Sequence, residues 1–438
     1  MSWMESTVGA EWDTLKEAVV HRPGIEMFFG LMAPFSFLYE RAFSMDEAVY
    51  EHSELEHALS SAGVRVHRLK RLSINLAKEN PALLDRARRF AVEIVKFSGP
   101  TADAAEARRE FKKSVGDLDA ETIFNVLLLR PSVALEERKG VRVVLPRVTL
   151  DVPLANLYFM RDQQAVSDRG VIVGRMSKPQ RQMEPLITGA ILEMAGAKIA
   201  YRVKPPGTFE GGDFMPAGEF AMLGQGDRTN RSGVNQILAK GLGFDEVAVV
   251  HQASHPLIPG DQPDPMINMH LDTYLNIAGK GIAVGCVPLL KRARVEVYKR
   301  TQKGAYRRRP GGPNVYDYLV SRGFTIVPIT TLEQMCYASN FLCVQDRKIM
   351  AVEVEKVVDK VLKNLEFQAG LFPHRYKALF GEATKEHGEL RESGHFFPHK
   401  REFSELGIEA TPLPLQEITG GYGGAHCMTC VLSRRPEG

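Results

Sequence analysis

Short apolar runs separated by turn residues recur along the chain and predict a repeated α/β module. In the first copy, residues 156–162 predict a strand that ends on a charged pair, and residues 167–170 have the composition of a turn. Residues 171–173 predict the return strand. Residues 184–195 predict a helix, because their apolar side chains recur every three or four positions. The module is therefore predicted to follow a ββαβ pattern.

The same arrangement returns three more times, and a fifth copy can be assembled from the two ends of the chain. The first strands of these copies are predicted at residues 209–215, 269–275, 335–343 and 424–432, and the last of them pairs with residues 16–21. The return strand of the second copy is predicted at residues 220–223. Each first strand carries a polar or nucleophilic residue, so five modules closed into a ring would direct these side chains at one centre. The uneven spacing between copies indicates modules with insertions rather than a solenoid of fixed period.

Residues 74–146 interrupt this pattern and are predicted to be helical, without a hairpin. An Asn–Pro pair at residues 80–81 provides a helix N-cap followed by proline at the first helical position. Asp119 is predicted to cap a further helix in the same segment. The chain is therefore predicted to fold as one α/β domain, residues 1–73 and 147–438, that carries a helical insertion.

A proline-rich loop at residues 255–265 precedes the third module. Two interpretations are open for this loop. It can be a mobile lid over a binding site, or it can be a plain surface connection between two strands.

Composition is that of an ordinary soluble globular protein. The 438 residues are 44% hydrophobic and 25% charged, and 56 Lys and Arg against 53 Asp and Glu leave a formal net charge of +3. A charge so close to zero does not favour nucleic acid or an anionic membrane as a partner. No apolar run reaches the roughly 18 residues that span a bilayer, and the first residues lack the features of a secretory signal.

The chain contains five cysteines, an odd number that does not suit a framework of disulfides. A reducing cytoplasm is the expected compartment. Cys427 follows a glycine-rich run, residues 420–426, whose glycines permit close approach of a ligand to the backbone. Cys427 is either a nucleophile or a small buried core thiol. A redox role for Cys427 with Cys430 is weaker, because no second Cys-x-x-Cys motif accompanies the pair.

His270 and Asp272 are two positions apart on a predicted strand, so their side chains are expected to share a face. Such a pair can act as an acid/base with a cation holder, or as two metal ligands. Glu210 and Asp162 also lie at ends of apolar strands, where a carboxylate is costly unless a cation pairs with it. Three carboxylates, an imidazole and the thiol of Cys427 around one point describe a site in which sulfur attacks a small cation.

Arg181 and Arg228 each lie just before a predicted helix. The planar guanidinium of each is a candidate to clamp a carboxylate of a ligand. The alternative for each is an ordinary solvated arginine on the surface.

Five motifs, in their order along the chain, resemble those of arginine deiminases, which belong to a guanidine-modifying superfamily. They are residues 20–24, 156–162, 209–213, 269–273 and 423–428. The resemblance implies the fold shared by that superfamily, the five-bladed α/β propeller or pentein, and the helical insertion also resembles that of arginine deiminases. It implies hydrolysis of the guanidinium group of L-arginine to L-citrulline and ammonia through a covalent Cys-thiouronium intermediate, without a metal or an organic cofactor.

The resemblance also implies roles for individual residues. Cys427 matches the nucleophile, and His270 matches the general acid/base. Asp162 and Asp272 match the carboxylates that bind the guanidinium group, and Glu210 matches the carboxylate that supports the histidine and the substrate. The implied partner is a small guanidino compound, with L-arginine favoured, and the implied form of the enzyme is a cytoplasmic homo-oligomer.

Asn156, Arg181 and Arg228 match the positions that hold the amino-acid end of the substrate. One position departs from the family. Arginine deiminases usually carry an arginine five residues before the nucleophile, where this chain has Tyr422. A hydrolase or an amidinotransferase that acts on a different guanidino compound is therefore the alternative.

Two further alternatives come from other classes of protein. A metal-dependent hydrolase would use His270, Asp272, His426 and Cys427 as ligands. A binding protein without catalytic activity has less support, because nothing requires such a protein to keep a thiol and an imidazole beside three carboxylates.

Overall fold

The chain alternates short strands with helices along most of its length. The computed structural model describes residues 4–137, 144–260 and 267–436. Its strands are β1 (Thr14–Val20), β2 (Arg65–Arg68), β3 (Lys96–Ser98), β4 (Pro131–Glu137), β5 (Val144–Leu150), β6 (Gln164–Ser167), β7 (Gly170–Val173), β8 (Ile199–Arg202), β9 (Phe214–Ala217), β10 (Phe220–Gln225), β11 (Glu246–His251), β12 (Leu275–Gly279), β13 (Ile282–Cys286), β14 (Val295–Arg300), β15 (Tyr306–Arg308), β16 (Thr325–Ile329), β17 (Leu342–Gln345), β18 (Lys348–Val352), β19 (Glu409–Leu413) and β20 (Cys430–Arg435).

The helices follow the same chain order. They are α1 (Ile25–Met32), α2 (Met45–Ser61), α3 (Leu69–Glu79), α4 (Pro81–Ile94), α5 (Thr101–Ser114), α6 (Ala120–Leu129), α7 (Glu184–Met194), α8 (Arg231–Lys240), α9 (Val287–Arg292), α10 (Val315–Ser321), α11 (Thr331–Met335), α12 (Val354–Leu371), α13 (Pro373–Ser393) and α14 (Arg401–Leu406). None of the helices in the described ranges combines the length and the apolar character that crossing a membrane requires.

One connection pattern is repeated in five sheets. In each sheet the middle strand pairs antiparallel with one neighbour and parallel with the other. The strand orders are β20–β1–β2, β6–β7–β8, β9–β10–β11, β12–β13–β16 and β17–β18–β19, and β14 and β15 extend the third of these. Between the two parallel strands of every sheet the chain forms at least one helix, because a parallel pair needs a long crossover. The protein therefore has a mixed α/β fold.

Several strands of these sheets are buried on both faces. Every residue of β6, β7, β9, β12 and β13 is buried. Such strands need apolar side chains in both directions, which explains why the sequences of β7, β9 and β13 are nearly continuous apolar runs rather than alternating ones. Because these strands are buried, they hold the loops that precede them in fixed positions.

The predicted return strands and helices are confirmed. The strands expected at residues 171–173 and 220–223 form parts of β7 and β10, and the helix expected at residues 184–195 is α7. The pairing of the two chain ends is also confirmed, since β1 and β20 are antiparallel with Val19 opposite Cys430.

The predicted first strands, in contrast, begin later than expected. Residues 156–162 form successive turns, and β6 begins only at Gln164. The other polar segments likewise precede their strands as turns or short 3-10 helices. The reason is that their backbone groups bond between segments rather than along a ladder: the N–H of Arg161, for example, donates to the carbonyl oxygen of Cys427 at 2.9 Å. His270 and Asp272 therefore lie in one turn and not on one strand face.

The segment at residues 74–146 contains the predicted helices and also strands that the sequence analysis excludes. Asn80 and Asp119 cap α4 and α6 with their side chains, as expected. A hairpin of β4 and β5 follows, with Pro131 opposite Leu150, and β3 pairs parallel with β4. The prediction of no hairpin is thus wrong, because residues 144–150 include three β-branched residues, Val144, Val148 and Thr149, which favour a strand. The division into an α/β domain, residues 1–73 and 147–438, and an insertion, residues 74–146, stays a prediction.

Residues 261–265 of the proline-rich loop lie outside the described residues. Both interpretations of that loop, a lid and a plain connection, therefore stay predictions.

Candidate active site

Cys427 lies in the turn that precedes β20, and its side chain is buried. Glycine is needed in front of it. A Cβ atom at position 423 would lie 2.9 Å from the Cβ atom of Cys427 and 2.5 Å from the ring of Phe159. Tyr422 adopts the left-handed region, with φ at 73°. The glycine-rich run therefore bends tightly and brings the sulfur into the interior.

The imidazole of His270 lies between two carboxylates. Its Nε2 atom donates to Oε2 of Glu210 at 2.9 Å, and its Nδ1 atom lies 3.7 Å from Oδ1 of Asp162. The backbone N–H of Ser177 donates to Oε1 of Glu210 at 2.9 Å and fixes that carboxylate. All three side chains of this group are buried. Two negative groups thus surround one imidazole.

The sulfur of Cys427 lies beside a carboxylate and an amide. Its Sγ atom is 3.5 Å from Oδ2 of Asp272 and 3.1 Å from Nδ2 of Asn340. The same oxygen of Asp272 accepts a hydrogen bond of 2.8 Å from Nδ1 of His426. His426 therefore holds the Asp272 carboxylate in place next to the sulfur.

Two carboxylate oxygens of this centre have no hydrogen-bond partner among the described residues. They are Oδ1 of Asp162 and Oδ1 of Asp272, and both are buried. A Cβ atom at Gly212 would lie 2.8 Å from Nδ1 of His270 and 3.1 Å from Oδ1 of Asp272, so both oxygens lie near the same imidazole. A buried oxygen without a donor costs on the order of 1–3 kcal/mol. A planar cation such as guanidinium carries the N–H donors that would satisfy both.

The two predicted arginines lie in the same centre. Arg181 and Arg228 are only 4% and 1% exposed, so the alternative of solvated surface arginines is wrong. Nη1 of Arg181 donates to Oδ2 of Asp162 at 2.6 Å. Nη1 of Arg228 lies 3.8 Å from Oε2 of Glu210. Both arginines therefore neutralise the carboxylates that line the site.

A narrow cavity opens onto these groups. It is lined by Leu38, Asn156, Phe159, Asp162, Arg181, Arg228, Met269, His270, Gly421, Tyr422 and Cys427. Glu210 and Asp272 bind directly to residues of this centre, as described above. The structure therefore brings together all eight residues that the sequence analysis names for the site.

The charges around the sulfur oppose a thiolate in the free protein. Burial, followed by the carboxylates of Asp272 and Asp162, raises the pKa of Cys427 well above its ordinary value. Burial opposes protonation of His270, but Asp162 and Glu210 outweigh it and raise the pKa of the imidazole to about 9. At pH 7 the resting pair is therefore a neutral thiol and an imidazolium. A cation held by the two aspartates would reduce the negative field and favour the thiolate.

Two polar residues of the centre have no catalytic role in the expectations from sequence. Asn340 contacts the sulfur, and His426 contacts Asp272. The repeat pattern contains a signal for Asn340, because the fourth module places its polar residue at about this position. His426 enters the sequence expectations only as a metal ligand.

The geometry gives no support to the metal-dependent alternative. Among residues 4–137, 144–260 and 267–436, no three or more His, Cys, Asp and Glu side chains are grouped so that they could hold a metal ion. The ring of His426 instead donates to Asp272 and lies 3.6 Å from Oε1 of Glu11.

Comparison with known proteins identifies the class of this centre. The model of the family described as arginine deiminase matches residues 35–434. An arginine deiminase of Halobacterium salinarum (strain ATCC 29341 / DSM 671 / R1) is 26% identical over 98% of this chain and 96% of that protein. An arginine deiminase of Staphylococcus haemolyticus (strain JCSC1435) is 27% identical over 62% of this chain and 66% of that protein.

These matches, together with the buried thiol, imidazole and carboxylates, define a hydrolase that acts on the C–N bonds of amidines. The chain belongs to the arginine deiminase family. Among solved structures, AgrE in a ternary complex with ornithine and NAD+ has a TM-score of 0.51 at 12% identity, covering 96% of this chain and 40% of the AgrE chain. At that identity the likeness concerns the fold alone.

Proposed function

We propose that the protein hydrolyses the guanidinium group of L-arginine to L-citrulline and ammonia through a covalent intermediate on Cys427. The observation that carries this proposal is that Oδ1 of Asp162 and Oδ1 of Asp272 are buried without a hydrogen bond in the centre that holds the sulfur and the imidazole. Guanidinium is planar and carries N–H donors on more than one edge, so it can bond both carboxylates at once. Membership of the arginine deiminase family supports L-arginine as the substrate.

In the first half of the proposed reaction, the two aspartates hold the guanidinium carbon against the sulfur. The bound cation favours loss of the thiol proton to water, and the resulting thiolate of Cys427 attacks the carbon. A C–S bond forms and gives a tetrahedral adduct. His270 gives its proton to the departing nitrogen, the C–N bond breaks, and ammonia leaves a covalent thiouronium intermediate.

In the second half, the neutral imidazole of His270 takes a proton from a water molecule, which attacks the same carbon. The C–S bond then breaks, the ureido product leaves, and the sulfur returns to its free form. Glu210 keeps the ring oriented through its 2.9 Å hydrogen bond and stabilises the imidazolium form with which the cycle begins and ends.

The far end of the substrate is assigned in this proposal to Asn156, Arg181 and Arg228. Arg181 is preorganised by Glu184, whose Oε2 accepts from Nη2 at 2.9 Å. Asp162 uses Oδ2 for Arg181 and keeps Oδ1 for the guanidinium group, so one residue can serve both ends of the site. The side-chain N–H of Asn156 donates to a backbone carbonyl at 2.7 Å, which orients its remaining polar atom.

A second candidate is a hydrolase or an amidinotransferase that acts on another guanidino compound. Tyr422 favours it, because this residue lines the cavity at the position where arginine deiminases usually carry arginine. A phenol cannot form an ion pair with the carboxylate of L-arginine. Binding of a substrate with a different tail is therefore favoured relative to binding of L-arginine.

We further propose that the five sheets close into a five-bladed α/β propeller, which the repeated strand order supports. The division into an α/β domain, residues 1–73 and 147–438, and an insertion, residues 74–146, belongs to the same proposal. A homo-oligomer in the cytoplasm stays a prediction, which light scattering and cell fractionation test.

The substrate is tested by incubating the purified protein with L-arginine and a panel of other guanidino compounds, with and without an acceptor amine. Mass spectrometry then scores ammonia and the ureido product. We expect L-citrulline from L-arginine and no transfer to the amine. A transferred amidino group would identify an amidinotransferase, and turnover of another compound alone would replace L-arginine as the substrate.

The covalent scheme is tested by Cys427→Ser, with Cys430→Ser, at the first position of the following strand β20, as a matched control. We expect Cys427→Ser to lose at least about a thousandfold in kcat while still binding L-arginine by calorimetry. Cys430→Ser should stay within about tenfold of the parent, because its thiol does not line the cavity. Substantial activity in Cys427→Ser would refute the scheme.

A further inference from the structure

Asn340 connects the fourth repeated module to the turn that carries Cys427. The residue lies just before β17 and is 2% exposed. Its Oδ1 atom accepts from the backbone N–H groups of Gly424, at 2.8 Å, and Cys427, at 3.0 Å. Its backbone carbonyl accepts from the N–H of His426 at 3.0 Å. One side chain therefore holds both ends of the turn in front of the sulfur.

These contacts fix which end of the amide faces the sulfur. Backbone N–H groups can only donate, so the atom that Gly424 and Cys427 share must be the amide oxygen. The amide nitrogen then points to the other side, where it lies 3.1 Å from Sγ of Cys427 and 3.3 Å from the carbonyl oxygen of Asp272. An N–H donor is thus directed at the reacting atom.

The turn that presents Asn340 is itself held by a second buried amide. Nδ2 of Asn276 donates to the carbonyl oxygens of Ser339, at 2.9 Å, and Phe341, at 2.7 Å. Asn276 is fully buried and does not line the cavity. Asn276 therefore stabilises the backbone of this turn without contacting the Asn340 side chain or the sulfur.

The donor matters because burial and the nearest carboxylates oppose negative charge on the sulfur. Burial and the carboxylates of Asp272 and Asp162 all raise the pKa of Cys427, whereas the amide of Asn340 lowers it. A hydrogen bond to a charged atom is stronger than one to a neutral atom, so the amide gains most when the sulfur is a thiolate.

We propose that Asn340 is a catalytic residue of this enzyme, whose side-chain N–H stabilises the anionic sulfur of Cys427 while its carbonyl aligns that sulfur for attack. The inference rests on the proposed role of Cys427 as the nucleophile. It gives the fourth module a part in the chemistry beside the carboxylates, imidazole and thiol that the other modules supply.

The isosteric variant Asn340→Asp separates the two parts of this role. It keeps an oxygen for the N–H groups of Gly424 and Cys427 but replaces the donor toward the sulfur with an acceptor. Asn340→Ala removes both parts. Asn276→Ala is the matched control, because it disturbs the same turn without touching the sulfur.

The measurement is the pH dependence of alkylation of Cys427 by 2-chloroacetamidine, a small cationic reagent, followed by peptide mass spectrometry. We expect the midpoint to rise by at least about one pH unit in Asn340→Asp and in Asn340→Ala, and kcat to fall by about tenfold or more. Asn276→Ala should lower the melting temperature and keep the parent midpoint.

A parent-like midpoint in a folded Asn340→Asp overturns the inference, and so does an equal shift in Asn276→Ala and Asn340→Ala. If Asn340→Asp does not fold, the comparison of the two alanine variants decides. These outcomes are distinct from failure of the proposed function, which would appear as retained activity in Cys427→Ser.

Discussion

At the scale of single residues, the carboxylates of the centre have opposite effects on the charge of the imidazole and on that of the thiol. Neighbouring carboxylates raise the pKa of His270 and keep the imidazole protonated. Carboxylates also raise the pKa of Cys427, where they disfavour the thiolate. Arg228 and His270 outweigh the effect of burial on Glu210 and keep the pKa of that carboxyl at about 2. Under the proposed mechanism, His270 therefore enters the reaction protonated, and binding of the cationic substrate favours the thiolate of Cys427.

This arrangement predicts the effect of Glu210→Gln on the pH profile. The acid form of His270 is complete well below its pKa of about 9 and is lost as the pH rises through that value, so kcat/KM should fall on the alkaline side. Removing the Glu210 charge lowers the pKa of His270, so the alkaline limb of the kcat/KM profile should shift to lower pH by at least about one unit. The pH dependence of kcat/KM measures both.

Glu246→Gln serves as the control for that experiment. Glu246 is a buried carboxylate of β11 that accepts a hydrogen bond from Tyr318 and makes no contact with His270. Its variant should keep the alkaline limb of the parent. An unmoved limb in Glu210→Gln would show that the carboxylate does not set the protonation of the imidazole.

At the scale of elements, chemistry is placed in the turns that precede buried strands. A turn can direct several side chains to one side, which a strand cannot do because its side chains alternate. The strand then anchors the turn by its burial. Glycines allow the turns to approach one another, and Gly423 is the clearest case because a side chain there would meet both Phe159 and Cys427.

Gly423→Ala is therefore expected to displace the Cys427 turn. A shift of about 1 Å in a reacting group can lower kcat/KM by roughly a hundredfold, and overpacking should cost about 1–3 kcal/mol of stability. Gly388→Ala is the matched control. Gly388 lies exposed in α13 with open space around it, so the change should leave activity intact. It should raise the free energy of unfolding by about 0.5–1 kcal/mol. Kinetics and thermal unfolding test the pair, and an active Gly423→Ala contradicts the argument.

The elements also show how far the sequence alone leads. Strands such as β7 and β10 and helices such as α7 were predictable, because a continuous apolar run or an apolar stripe reports burial directly. The turn at residues 156–162 was not, because apolar side chains fill turns as well as strands when the turns are buried. The β4–β5 hairpin was missed for a related reason, since its residues lie beside strongly helical ones.

The residues of the candidate site likewise divide into those that sequence reasoning finds and those that it does not. Charged residues such as Asp162 and His270 attract notice because burying them is costly, so sequence reasoning finds them. Asn340 carries no charge, and its contribution depends on which way its amide points, which only a three-dimensional arrangement determines.

At the scale of the whole molecule, ion pairs buried between distant segments join the two ends of the fold. Arg434 of β20 donates to Glu11 at 3.0 Å and to the carbonyl oxygen of Cys343 at 2.7 Å. Glu11 also pairs with Arg161 at 3.3 Å, next to the Cys427 turn. Buried ion pairs therefore link the N-terminal segment before β1 to β20 and to the neighbourhood of the Cys427 turn.

Arg434→Met is expected to destabilise the protein strongly, because it leaves Glu11 buried with fewer partners. The cost of breaking a buried pair is about 3–5 kcal/mol. Arg435→Met, at the exposed neighbouring position, should change stability by no more than about 0.5 kcal/mol. Urea unfolding at pH 7 compares the two variants. Equal stability of Arg434→Met and the parent would rule out a structural role for this pair.

The two Oδ1 atoms of Asp162 and Asp272, which lack a hydrogen bond, have a practical consequence for unfolding experiments. Guanidinium chloride, a common denaturant, is a salt of the same planar head group that these oxygens suit. At low concentration it should act as a ligand that raises the melting temperature, and only at high concentration should it unfold the chain. Urea carries no charge, so an unfolding curve in urea reports the chain without this added binding.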